Sequence, residues 1–199
     1  MKNPNQQFLF RLQSWYRRPE HAFSLHEALV TLAVVSTVTT IAVPSFQQIV
    51  SSQRMTGAVN TLVTALNLAR SEAIKRNENV TLCPSVDGRT CQNMDASETV
   101  WENGYLLYVD QNENDSPDAN ETVVRIFGPS QDLRIRSTSG RNHVTYRSNG
   151  MASGSNLSFT FCTINDTSRP RTVIVANSGR ARTSSNRADG SLIVCSNSV

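Results

Sequence analysis

The sequence predicts an α+β protein: one long N-terminal helix, transmembrane then amphipathic, packed on a small antiparallel, sandwich-like β-domain. Three observations carry this. Residues 23–43 form a nearly unbroken apolar run. From Met55 to Ala73, apolar side chains recur at steps of three and four, one stripe of a helix. From Asn79 onward, short β-branched and aromatic runs alternate with Gly, Asn, Asp and Ser clusters, the pattern of strands and turns.

The apolar run, FSLHEALVTLAVVSTVTTIAV, has 21 residues, enough at about 1.5 Å per residue to cross a bilayer core of roughly 30 Å. Arg17 and Arg18 precede it, which by the positive-inside rule keeps the N-terminus cytoplasmic. A secretory signal has a shorter apolar region closed by an A-x-A-like site, and none follows Val43. Pro44 is expected to kink the helix, because its ring removes one hydrogen bond and clashes with the preceding turn. The stripe beyond it, Met55, Val59, Leu62, Leu66, Ala69 and Ala73, continues to about Arg76.

The formal charge of +3 lies in the first 22 residues, where Lys2, Arg11, Arg17 and Arg18 face Glu20 alone. Residues 23–199 carry fifteen basic and fifteen acidic groups, so the global charge says nothing about partners of that part. Its distribution does. Residues 23–121 hold five basic and twelve acidic groups, whereas residues 122–199 hold ten basic groups, all Arg, and three acidic ones. Such a basic half points to a polyanion, since Arg makes bidentate contacts to phosphate. On charge alone, solvated strand faces are the favoured reading.

Glu27 is a carboxylate in the first turns of an apolar segment, a costly place that usually marks function. A basic leader, the small residue Ala22, then Phe23-Ser24-Leu25-His26-Glu27 and the long apolar run resemble the cleavage and N-methylation site of type IV pilins and pseudopilins. The resemblance implies that a prepilin peptidase cuts between Ala22 and Phe23, and that Phe23 becomes the methylated first residue of a subunit anchored in the inner membrane. The implied organisation is a leader over 1–22, a transmembrane helix over 23–43, its amphipathic continuation over 44–76 and a periplasmic β-domain over 77–199. Glu27 and Pro44 fall at the family's glutamate and helix-kinking proline, and imply filament assembly with other pilins. There Glu27 would neutralise the amine of a neighbouring subunit's Phe23, a buried pair that can set register. Two departures are the family's usual Gly, here Ala22, and its usual apolar residue, here His26, for which we have no physical account.

Strands are expected over 80–83, 105–109, 122–127, 133–136, 143–147, 157–164, 172–176 and 192–195. Cys83, Cys91, Cys162 and Cys195 lack the CxxC spacing of a zinc or redox site, so disulfides in an oxidising compartment are expected. Three connectivities are open, and the favoured one closes a small loop, Cys83–Cys91, and ties late strands, Cys162–Cys195. SEAIKRNENVTLC at 71–83, with W-x-x-G-Y-x-x-Y-x-D from Trp101 to Asp110, is similar to the FimT/GspH branch of pilin-like proteins. That branch includes minor pseudopilins of type II secretion and FimT-like minor pilins, some of which bind DNA for natural transformation through a C-terminal Gly-Arg-x-Arg motif.

The motif is present as Gly179-Arg180-Ala181-Arg182, where Asn177-Ser178-Gly179 joins two β-like runs as a hairpin turn. On a strand Arg180 and Arg182 share a face, and Arg169, Arg171 and Arg187 flank the pair. Such a cluster is expected to bind DNA phosphates without sequence preference and with steep salt dependence. No stacking aromatic lies in the segment, which weighs against base readout.

A second string, Asp110-x-Asn112-x-Asn114 with Asp118 and Glu121, matches the oxygen spacing of a calcium loop. Asp115 stands at the position that requires Gly, Pro117 follows, and strands rather than helices flank it, so no metal or cofactor is expected. Enzymatic roles fare worse: His21 and His26 lie in the leader and membrane segments, and His143 sits in an alternating strand pattern. No nucleophile elbow is present. The sequence favours a DNA-binding minor pilin; the alternative is a minor pseudopilin or pilus-assembly subunit without DNA binding.

Overall fold

The computed structural model describes residues 23–92, 99–165 and 168–195. The leader through Ala22 lies outside them. Among the described residues one helix, α1 (Leu25–Arg76), is followed by eight strands. Ser24 caps α1, its hydroxyl accepting the Glu27 N–H at 3.2 Å, which satisfies one of the donors a helix start leaves open. Asn77, in the left-handed region at φ 57°, follows the last helical residue and stops the helix.

The chain divides into two compact units, Met1–Pro44 and Ser45–Val199. In the first, the helix presents Leu25, Leu29, Leu32, Val35, Val38 and Ile41 on an exposed apolar surface, and it is long and apolar enough to cross a membrane. Pro44 lies within α1.

The second unit holds the core. Its strands are β1 (Asn79–Pro84), β2 (Tyr105–Asp110), β3 (Val123–Phe127), β4 (Leu133–Ser137), β5 (Val144–Tyr146), β6 (Leu157–Thr163), β7 (Arg171–Val175) and β8 (Ala181–Ser184). They form two antiparallel sheets of four strands, ordered β3-β2-β1-β5 and β4-β6-β7-β8. One apolar cluster joins the stripe Met55, Val59, Leu62, Leu66, Ala69 and Ala73 of α1 to the inner faces of both sheets. Ala65, Ala69 and Ala73, on the same stripe, have no exposed surface. Trp101 fills the middle, edge-on to Phe159 at 4.8 Å between centroids.

Both disulfides link residues near in space: Cys83–Cys91 with Cα atoms 5.6 Å apart and Cys162–Cys195 at 5.9 Å. The expected strand over 192–195 does not form. Among the described residues, only an isolated bridge between Asn186 and Leu192 pairs there. Leu192 and Val194 stay exposed, because Cys195 is bonded to Cys162 on β6, in the middle of the sheet, which draws the segment away from an edge strand. The segment 185–195 is thus a tethered strap.

Candidate nucleic-acid interface

The Gly-Arg-x-Arg motif occupies the β7–β8 hairpin. Its turn closes with Gly179 N–H donating to Ala176 O at 2.8 Å and Ala176 N–H donating to Arg180 O at 3.1 Å. Gly179 has φ 76°, and a β-carbon there would sit 2.1 Å from the Gly150 carbonyl oxygen and 3.1 Å from the Tyr146 ring. Ala152 N–H donates to Asn177 O at 3.0 Å, so the turn is fixed to the 147–152 loop. That loop in turn lies against α1, since a β-carbon on Gly150 would meet Ile74 at 2.7 Å. The arginines therefore project from a turn anchored on the core.

Register assigns the faces. Val173 and Val175 are buried and pair with Thr183 and Ala181; Ile174 pairs with Arg182. Arg182 thus lies on the outer face of the sheet, with Arg180 two residues earlier on the same side, and both are exposed. The remaining arginines do not join them in one cluster. Arg171 begins β7 opposite the buried Phe161, so its side chain leaves from the other face, at the far end of the strand from the turn. Arg169 precedes it and is exposed. Arg187 sits on the strap, its N–H donating to Ser191 O at 2.9 Å.

Two arginines the sequence reading passed over belong to the same outer face. Arg134 and Arg136 alternate with buried Leu133 and Ile135 on β4 and pair with Cys162 and Thr160. The L-R-I-R-S alternation of 133–137 was the available signal. Glu102 pairs with the Arg136 guanidinium and accepts the Ile135 N–H at 3.1 Å.

The Asp110 loop is built from within. Asp110 is buried, and its carboxylate accepts N–H bonds from Asn114 and Asp115, each at 3.1 Å. Burial is the largest influence on its pKa and raises it, against the pull of those two donors. The side-chain amides of Asn112 and Asn114 both donate to Asp118, at 2.6 and 2.9 Å. Glu121 accepts from Gln111 and Asp118 N–H groups at 2.9 and 3.1 Å. The oxygens suited to a cation are engaged by the loop's own donors. His143 lies 3.4 Å from Asp115 beside it.

An exposed apolar N-terminal helix leading into a helix-packed double sheet defines a type IV pilin-like subunit. A family profile described as "Type II transport protein GspH" matches residues 58–179, and the chain belongs to that family. The match ends at Gly179, just before Arg180. The fold is similar to the crystal structures of the Pseudomonas aeruginosa type IV minor pilin FimU. The P21 form aligns with a TM-score of 0.52 at 19% identity over 67% of this chain and 90% of that one. The P65 form aligns with a TM-score of 0.49 at 19% identity over 65% and 91%. No curated protein sequence matches the chain.

Proposed function

We propose that the protein is a minor pilin that holds extracellular double-stranded DNA by its phosphate backbone for uptake in natural transformation. The observation that carries this reading is the Gly179–Arg182 hairpin. It presents two exposed arginines on one face of a turn fixed to the core. Guanidiniums carried on an anchored turn leave less backbone freedom to be lost on binding phosphate than ones on a loose loop. Arg187, Arg171 and Arg169 are auxiliary contacts in this reading.

The family supports assembly with other pilins, and the exposed N-terminal helix supports an inner-membrane anchor with the β-domain in the periplasm before incorporation into a fibre. Prepilin peptidase cuts after Ala22, and Phe23 and Glu27 then serve packing between subunits, with Pro44 adjusting the helix. The two disulfides fit an oxidising compartment. The family's description favours a second reading: a minor pseudopilin of a type II secretion system, whose arginines are plain surface.

A mobility shift with the full chain in uncharged detergent, beside Arg180→Gln/Arg182→Gln, separates the two. The DNA reading expects binding to duplexes of unrelated sequence and loss of most affinity in the variant. If neither protein binds at low salt, the pseudopilin reading is the better account.

A further inference from the structure

The strap lies over the outer face of the second sheet and leaves a cleft of about 490 Å³ between them. We propose that this cleft is a binding site for a phosphate ester, seated by Arg187, Thr160 and Thr172 with Arg136 behind them. It goes beyond the hairpin reading, since neither Arg180 nor Arg182 lines it.

The cleft floor follows from register. Arg136, Thr160, Thr172 and Ser184 pair in one row across β4, β6, β7 and β8. All four side chains leave from the outer face, because Ile135, Phe159, Phe161 and Val173 beside them point into the core. Of these, Thr160, Thr172 and Arg136 line the cleft, two hydroxyls and a guanidinium that can donate hydrogen bonds. The strap adds Arg187 from above. A smaller cleft beside it shares Arg136, Thr160 and Arg187 and adds Arg134, so positive charge continues along the underside of the strap.

Thr172 supplies the second observation. Its side chain has no exposed surface, and its Oγ1 has no hydrogen-bond partner among the described residues. Buried polar atoms are almost always paired, and one left open costs stability unless something fills it. Valine has the same shape without that cost. Thr172 lines the cleft floor, and a ligand oxygen admitted by a small shift of the side chains around it would satisfy this open hydroxyl.

Of the two acidic groups nearby, Glu102 is neutralised, and Asp189 keeps its charge on the rim. Glu102 is taken up by Arg136 and the Ile135 N–H. Asp189, on the rim, accepts the Ser191 N–H at 2.9 Å and hydroxyl at 2.7 Å. The Arg187 guanidinium, on an exposed side chain, matches a tetrahedral oxyanion by its fork of donors. The volume leaves room for a sugar beside the phosphoryl group. No aromatic ring lines the cleft, so a stacked base is not part of the ligand.

The test is calorimetric titration of the full chain in uncharged detergent with inorganic phosphate, deoxyribose 5-phosphate and unphosphorylated deoxyribose. Both phosphates bind and the bare sugar does not. Thr172→Val and Arg187→Gln each weaken phosphate binding by about tenfold or more, while Arg180→Gln/Arg182→Gln binds it as the unaltered chain does. Thr172→Val does not lower the melting temperature, so its loss of binding is not a loss of fold. Absence of phosphate binding in the unaltered chain, or full affinity in Thr172→Val, overturns the site. Adding duplex DNA identifies the natural source: competition with phosphate assigns the cleft to DNA backbone, and independent binding assigns it to a soluble phosphate ester. Because the hairpin variant affects only DNA, failure of the DNA reading and failure of this one give different results.

Discussion

Gly179 and its two arginines contribute to the hairpin in different ways, and substitution separates them. Gly179→Ala places a methyl group against the Gly150 carbonyl and forces a left-handed backbone on a residue with a side chain. The expected cost is about 2–3 kcal/mol, seen as a lower melting temperature together with weaker DNA binding. Arg180→Gln and Arg182→Gln remove charge from exposed positions and should change stability by no more than about 0.5 kcal/mol. A melting temperature unmoved by Gly179→Ala would show that the turn does not need glycine. Asp87 gives a prediction with a definite sign. Its carboxylate accepts N–H bonds from Arg89 and Thr90 at 2.8 and 2.9 Å, and the Thr90 and Arg89 bonds, the largest causes, hold its pKa well below the ordinary 3.8. A lowered native pKa adds stability that is present above the unfolded value and lost as the pH falls below about 3.8. Asp87→Asn should therefore flatten the acid side of a thermal-stability profile. An unchanged acid limb would mean that the carboxylate does not hold the 83–91 loop.

Helix α1, the β7–β8 hairpin and the strap differ in how far sequence alone exposes them. The α1 stripe and seven of the eight strands follow from periodicity, since burial of one face requires spacing of 3.6 or 2 and the core enforces both. Leu66, fully buried in the core cluster, is the sharpest probe of that packing, and Leu66→Ala should cost about 2–5 kcal/mol in chemical denaturation. A loss under 1 kcal/mol, about the size of an exposed helix substitution, would place the second half of α1 off the core. The hairpin was legible because Asn-Ser-Gly is a turn at close range, whereas the faces of its flanking arginines depend on register, which sent Arg171 away from Arg182. The strap was not legible. S-L-I-V-C has strand composition, but a covalent tie to Cys162 decides its path, and local sequence carries no record of it. Thr172 was hidden for the same reason: the cleft it lines is closed by residues of the strap. Loop-closure entropy predicts that removing Cys162–Cys195, 33 residues apart, costs more than removing Cys83–Cys91, 8 apart, about 3.7 against 2.5 kcal/mol. Ser replacements of each pair, compared in denaturant, test the order. Cys162→Ser/Cys195→Ser should also free Arg187 from the cleft and weaken phosphate binding.

Across the whole chain the acidic first half and basic second half have a consequence for DNA. A net-neutral subunit past Ala22 gains nothing from overall charge, so in the DNA reading attraction to a duplex rests chiefly on the outer face of the second sheet. The arginines on that face, at 134, 136, 180 and 182, with Arg187 on the strap, span four strands, about 14 Å at the usual strand spacing. Arg136 is already paired with Glu102, and Arg134 lies beside it at the far side of the face. A single subunit is therefore expected to neutralise about two to four phosphates, which sets the logarithmic salt slope at roughly −2 to −4. Between 50 and 200 mM salt the affinity should then fall about tenfold to a few hundredfold. Arg180→Gln/Arg182→Gln should flatten the slope by about 2 while leaving the weak residual binding indifferent to sequence. A slope unchanged in the double variant would move the contact away from the hairpin. Subunits arrayed on one fibre bind the same duplex at high effective concentration, so a slope several times steeper on assembled fibres than on the monomer, from the same arginines, is the expected mark of a DNA-holding pilus.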